Sequence, residues 1–119
     1  MLSQVLAVCR LPADQPVPEW ALAGSFFSVT RTSDELSIAC EDGRVPEGIR
    51  AEHGWTGLKL EGPFPFSMTG VLASFLEPLA AAGISIFAVS TFDTDCVLVK
   101  SEMLSRAVEA LQACGHRRV

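Results

Sequence analysis

The feature that most constrains the fold is a change of hydrophobic period between residues 67 and 100. Apolar side chains first recur at helical spacing, at Val71, Leu72, Phe75, Leu76 and Leu79. Ser67 stands where an N-cap is expected, and Gly83 is placed to end the helix. Two short runs rich in β-branched and aromatic residues follow, at 84–91 and 96–100, with a turn between them. The pattern predicts a helix followed by a β-hairpin.

The flanking segments extend this pattern to a complete fold. Residues 55–61 alternate like a strand, and a second amphipathic helix is expected after Ser101, with a short strand possible at 116–119. Residues 55–119 then read β-α-β-β-α-β, which places both helices on one face of an antiparallel sheet. The run 96–100 is apolar on both faces, as expected of a central strand. The predicted fold class is ferredoxin-like α+β.

The first half of the chain looks like a shortened copy of the second. Residues 4–11 favour a strand, 26–32 and 35–41 favour a hairpin, and the expected first helix is cut to one turn near Trp20. An offset of 60 residues between the hairpins pairs Glu35 with Asp95. We therefore expect two units, an abbreviated one at 1–54 and a complete one at 55–119.

Composition excludes several classes of protein. The 119 residues are 49% hydrophobic and 19% charged with a net charge of −5, so disorder is not expected. No cluster of basic residues is present for a nucleic acid to bind. The apolar stretch 62–92 contains Pro78 and Gly83, which favours a helix and a strand over a membrane span. Four widely spaced cysteines, without a predicted signal peptide, indicate reduced thiols and a cytoplasmic location.

Catalytic motifs are not found in the sequence. His53 and His116 are the only histidines, and neither stands in a recognisable nucleophile motif. Cys114 and His116 alone are too few ligands for a metal site. We expect no enzyme activity, no metal and no cofactor.

Residues 57–99 resemble a known protein family. The Pro-rich loop before Ser67 and the segment Ser90–Asp95 (STFDTD) are similar to those of ACT-type ligand-binding domains. The likeness is greatest to small bacterial proteins with two ACT units, related to the regulatory part of aspartate kinases and to cytosolic arginine sensors. The resemblance implies amino-acid sensing, pairing of units in a homodimer, and a ligand held between units.

Elementary electrostatics points to the same place in the chain. The first backbone N–H groups of the predicted helix lack intrahelical partners and form the positive end of the helix dipole. A carboxylate group suits this position. Asp95 could hold an ammonium or guanidinium group. Together with the resemblance, this predicts a ligand-binding set of Ser67, Met68, Thr69, Gly70, Val71, Thr91, Phe92 and Asp95.

Some features admit a second interpretation. The resemblance implies an acidic residue where Met68 stands, and methionine cannot pair with a guanidinium, which weakens arginine as the ligand. The rival hypothesis is a protein-interaction module with a degenerate pocket that pairs through sheet edges. Asp95 could also be an ordinary turn residue. Trp55, on the polar side of its strand, is expected at the surface or in a subunit interface.

Overall fold

The computed structural model describes residues 4–59 and 71–113 of the chain. The strands in these residues are β1 Val5–Leu11, β2 Ser28–Arg31, β3 Leu36–Glu41, β4 Arg50–Lys59, β5 Ile86–Ser90 and β6 Asp95–Lys100. The α-helices are α1 Val71–Ala81 and α2 Leu104–Ala113, and 3₁₀ turns lie at Glu19–Leu22, Asp42–Arg44 and Ser101–Met103. The chain divides into two compact units, and the boundary between them lies after Trp55.

The first unit is a sheet with little helical cover. Its strands lie in the order β2-β3-β1-β4, and both β2 and β1 pair antiparallel to β3. As the sequence predicts, the expected first helix is reduced to the single 3₁₀ turn at 19–22. The buried core residues are Ala7, Cys9, Leu11, Ala21, Leu36, Ile38 and Cys40. Ala21 lies in the 3₁₀ turn, and the other six share one face of the sheet because the side chains of a strand alternate between its faces.

The second unit has the predicted helix-on-sheet arrangement. Its strands lie in the order β4-β6-β5, so β6 is central, as its apolar character indicated. The buried core comprises Leu58, Leu79, Ile84, Val97, Val99, Ala107 and Leu111. Val97 and Val99 therefore face the helices, whereas Leu98, at 0% exposure, is buried on the opposite face.

Helix α1 ends at the glycine that the sequence marks as its terminator. Gly83 has φ +74°, its N–H donates to the Ala80 carbonyl at 3.0 Å, and the Ile84 N–H donates to the Leu79 carbonyl at 3.0 Å. This pair of bonds is the Schellman motif, which satisfies carbonyls that the helix leaves open. The Arg106 guanidinium donates to the neighbouring Ala82 carbonyl at 2.8 Å, which ties α2 to the end of α1.

The two hairpins are built alike. In the first, the Thr32 N–H donates to the Glu35 carbonyl at 2.9 Å, and the Thr32 hydroxyl accepts from the Glu35 N–H at 3.2 Å. In the second, the Thr91 N–H donates to the Thr94 carbonyl at 2.8 Å, and the Thr91 hydroxyl accepts from the Thr94 N–H at 3.1 Å. The same bonds around the same residue type indicate an internal structural repeat.

The period of this repeat is 59 residues rather than the 60 that side-chain likeness suggests. Strands β3 and β6 begin at Leu36 and Asp95, and the 3₁₀ turns after them begin 59 residues apart as well. Glu35 therefore corresponds to Thr94, and the predicted pairing of Glu35 with Asp95 is wrong. A shift of one residue is invisible in a weak alignment, yet it moves each side chain to the other face of the strand.

Other differences from the sequence-based expectation concern β4 and α2. β4 begins at Arg50 and not at Trp55. Trp55 is 7% exposed and its Nε1–H donates to the Glu52 carbonyl at 3.1 Å, so the expected surface or interface role is wrong. The helix expected directly after Ser101 begins with a 3₁₀ turn. The possible strand at 116–119 lies outside the described residues.

Candidate ligand-binding site

The candidate site lies at one edge of the second unit, where β6 begins. The Thr56 and Ser101 hydroxyls are 2.7 Å apart, so the end of β6 lies beside Thr56. At the other end of β6, the charge of Lys59 acts on the Cys96 thiol. β4 and β6 therefore run in opposite directions, and the start of β6 shares an edge with the end of β4.

The first turn of α1 is directed to this same edge. β5 starts with Ile86 paired to Val99, so α1, which ends shortly before β5, has its C-terminal end at the opposite edge. The helix has 11 residues and extends about 16 Å. Its N-terminal end, which begins at Val71, is thereby turned toward the edge where β6 starts.

Asp95 shares both this edge and the helix-bearing face of the sheet. It is the first residue of β6, it pairs with Ser90 of β5, and its side chain is half-buried. Alternation along β6 places Asp95 on the same face as Val97 and Val99, which pack under the helices. The carboxylate and the positive end of the α1 dipole therefore lie on one side of the sheet at one edge.

The turn before Asp95 provides the rest of the described surface. The Thr91 hydroxyl accepts from the Thr94 N–H at 3.1 Å and donates to the Thr94 carbonyl at 2.9 Å, so this hydroxyl is engaged within the turn. Phe92 at the tip is 77% exposed. The predicted ligand residues Ser67, Met68, Thr69 and Gly70 lie outside the described residues.

The first unit does not reproduce this arrangement. Its counterpart of Asp95 in the 59-residue repeat is Leu36, which is 0% exposed and belongs to the core. Its counterpart of α1 is only the 3₁₀ turn at 19–22. The candidate site is therefore a feature of the second unit.

Sequence reasoning missed a polar cluster in the first unit. Asp42 accepts from the Gly54 N–H at 2.8 Å, and its second carboxylate oxygen lies 2.7 Å from His53 Nδ1. Both oxygens are engaged, so the cluster fastens the 3₁₀ turn at 42–44 to β4. Among residues 4–59 and 71–113 no group of three metal-ligating side chains could hold an ion. Asp42 and His53 are 11 residues apart in the sequence, and no local pattern predicts that they meet.

Comparison with known proteins identifies the family. A family model described as the ACT domain matches residues 50–113, more than half of the chain. The chain belongs to the ACT-domain family. A second family model, for an N-terminal domain, matches residues 4–48.

Individual relatives agree with this family assignment. The human cytosolic arginine sensor for mTORC1 subunit 1 is 37% identical over 59 residues, which is 49% of this chain and 18% of that protein. This ACT-family chain spans 18% to 53% of the length of the curated relatives that it matches.

Solved structures share the fold over nearly the whole chain. Protein Atu0741 from Agobacterium tumefaciens is 43% identical with a TM-score of 0.92, covering 98% of this chain and 87% of that one. The regulatory subunit of aspartate kinase from Thermus thermophilus has a TM-score of 0.65 at 15% identity, covering 95% of this chain and 94% of that one. At that identity the likeness concerns the fold. In the described part of the chain, no helix has the length and apolar character to cross a membrane.

Proposed function

We propose that this ACT-family protein is a non-catalytic sensor that binds a free amino acid, or a similarly small zwitterionic metabolite, and regulates a partner protein. The observation that carries the proposal is the position of Asp95. Its side chain is half-buried, it lies on the helix-bearing face of the sheet, and it lies at the edge toward which the first turn of α1 is directed. Membership of the ACT family, together with relatives named as an arginine sensor and a kinase regulatory subunit, supports it.

The proposed binding mode uses both ends of a zwitterion. The ligand carboxylate accepts hydrogen bonds from the segment that leads into α1, with Ser67, Met68, Thr69, Gly70 and Val71 as the proposed contacts. The ligand cation pairs with Asp95. Thr91 shapes the turn, since its hydroxyl is already engaged with Thr94, and Phe92 offers an apolar surface.

The proposal concerns amino acids as a class and not arginine alone. Met68 cannot pair with a guanidinium, so only Asp95 in the proposed set carries a negative charge for a cationic side chain. Binding acts on the partner through a difference in ligand affinity between two states of the protein. We place this activity in the cytoplasm, because the related human arginine sensor is named as cytosolic. We further propose that the protein is a homodimer that holds the ligand between ACT units.

One observation favours the second candidate, an interaction module with a degenerate pocket. Phe92 is 77% exposed at the tip of the β5–β6 turn, and large exposed aromatic side chains are typical of binding surfaces. In that case the turn would contact a protein rather than a metabolite. A ligand panel separates the two.

The test is thermal unfolding against the twenty amino acids, followed by calorimetric titration of any that stabilise the protein. Loss of a charge-assisted hydrogen bond costs about 1.5–3 kcal/mol, so Asp95→Asn should weaken binding by about 10- to 150-fold. Asp93→Asn is the matched control, because it makes the same charge change in the exposed turn two residues away. Equal amino-acid affinities for the wild type, Asp95→Asn and Asp93→Asn would show that Asp95 is not part of the site. A panel without any stabilising amino acid would favour the interaction module.

A further inference from the structure

Two buried thiols of the first unit lie on neighbouring strands. In the β1–β3 register Cys9 pairs with Ile38 and Cys40 pairs with Ala7, so the two cysteines are diagonal neighbours. Both belong to the same core cluster, and therefore to the same face of the sheet. Cys9 is 1% exposed and Cys40 is 0% exposed, and both are free thiols.

The two thiols are in electrostatic contact with each other. Their mutual hydrogen bond lowers the pKa of the Cys40 thiol and outweighs burial and the negative charges of Asp42 and Glu41, which raise it; the smaller effect of the Arg44 charge also lowers it. That hydrogen bond and then burial raise the pKa of the Cys9 thiol. Cys40 is accordingly the member of the pair that ionises first, and the Cys9 thiol keeps its proton and donates a hydrogen bond to the Cys40 sulfur.

We propose that Cys9 and Cys40 form a redox-responsive pair that closes to a reversible cross-strand disulfide within the first unit. The oxidant class is a hydroperoxide. The Cys40 thiolate attacks the O–O bond, the sulfur is oxidised to a sulfenic acid, and the alcohol or water leaves. The Cys9 thiol then attacks this sulfur, the S–S bond forms, and hydroxide leaves with the Cys9 proton as water. Two thiols and one hydroperoxide thus give one disulfide, one alcohol or water and one further water.

The strand geometry makes this disulfide easy to reduce again. Diagonal neighbours in an antiparallel pair have Cα atoms about 7–8 Å apart, whereas a relaxed disulfide needs about 5.5–6 Å. Closure therefore draws β1 and β3 together and strains the bond, and strained disulfides have more oxidising potentials. Entry of the oxidant requires a local opening of the sheet, because neither sulfur reaches the surface. The pair is thus suited to a slow, reversible response.

The structure supplies a reporter and a clean background for the test. Trp20 packs against the core cluster that contains both thiols, so its fluorescence should respond when β1 and β3 shift. Replacing Cys96 and Cys114 by serine leaves Cys9 and Cys40 as the only thiols of the chain. This variant is exposed to hydrogen peroxide, denatured, labelled with N-ethylmaleimide and weighed by mass spectrometry.

The expected result is loss of two hydrogen atoms, no maleimide label, a change in tryptophan emission, and recovery of all three on adding dithiothreitol. In the same background, Cys9→Ser should stop at a sulfenic acid on Cys40 that dimedone traps; Cys9→Ala serves if the serine variant fails to fold. The proposal is overturned if both thiols still take up label after peroxide treatment, if dimedone traps a sulfenic acid in a Cys40→Ser variant and not in Cys9→Ser, or if the disulfide joins two chains.

Discussion

Replacing Gly83 by alanine tests whether backbone conformation alone makes this residue the end of α1. Gly83 has φ +74°, and a Cβ built there meets no atom within 4 Å, so packing contributes nothing to the cost. The left-handed conformation costs an L-residue about 1–2 kcal/mol, and the reduced freedom of the unfolded alanine chain offsets about 0.4–1 kcal/mol of that. We expect Gly83→Ala to lower the free energy of unfolding by about 1 kcal/mol.

The expected loss in the free energy of unfolding can be converted to a fall in the melting temperature, Tm. An unfolding entropy of about 2.1 cal/mol/K per residue gives about 0.25 kcal/mol/K for the whole chain, so Tm should fall by about 4 °C. If the second unit unfolds alone, the same free energy should lower its Tm by about 7 °C. The assay is differential scanning calorimetry, which also shows whether there is one transition or two.

Two further variants isolate the cause. Gly83→Asn should cost less than Gly83→Ala, because asparagine tolerates the left-handed region. Gly43→Ala is the matched control, since this glycine has no positive φ and an added Cβ there also meets no atom within 4 Å. If Gly83→Ala and Gly43→Ala give the same Tm as the wild type, the conformational account of the helix end is wrong.

The remaining predictions concern the polar cluster and a buried thiol. Asp42→Ala should lower the free energy of unfolding in urea by about 1–3 kcal/mol, because the part-buried Gly54 N–H loses its acceptor, whereas Asp42→Asn should retain most of the stability. An equal loss in both variants would show that the charge and not the acceptor matters. Burial raises the pKa of Cys96 above its ordinary value of 9.0, so stability should fall as the pH rises above 9.0, where the unfolded chain loses the proton that the folded chain retains. Cys96→Ala should reduce this slope by up to about 1.4 kcal/mol per pH unit, and an unchanged slope in alkaline urea titrations would contradict the assignment.

The candidate site was only partly accessible to sequence reasoning. The turn at Thr91 and the start of β6 follow from local residue preferences, and the structure describes both. That Asp95 lies on the helix-bearing face follows from its parity with Val97 in the core. The alignment of the two halves of the sequence instead matched Asp95 with Glu35 as equivalent positions of the repeat, which is an error of one residue. Hydrogen bonds between strands fix that register, and single-chain residue preferences do not contain them.

The sequence by itself determined the family, the α+β class, the order of the elements and the end of α1 at Gly83. These follow from period, capping and turn residues, which act over a few positions along the chain. Only the tertiary structure decided that Trp55 is buried, that Asp42 holds the backbone of Gly54, and that Cys9 lies diagonal to Cys40. Each of these depends on which strands become neighbours, and that choice is made by packing and pairing between segments distant in sequence.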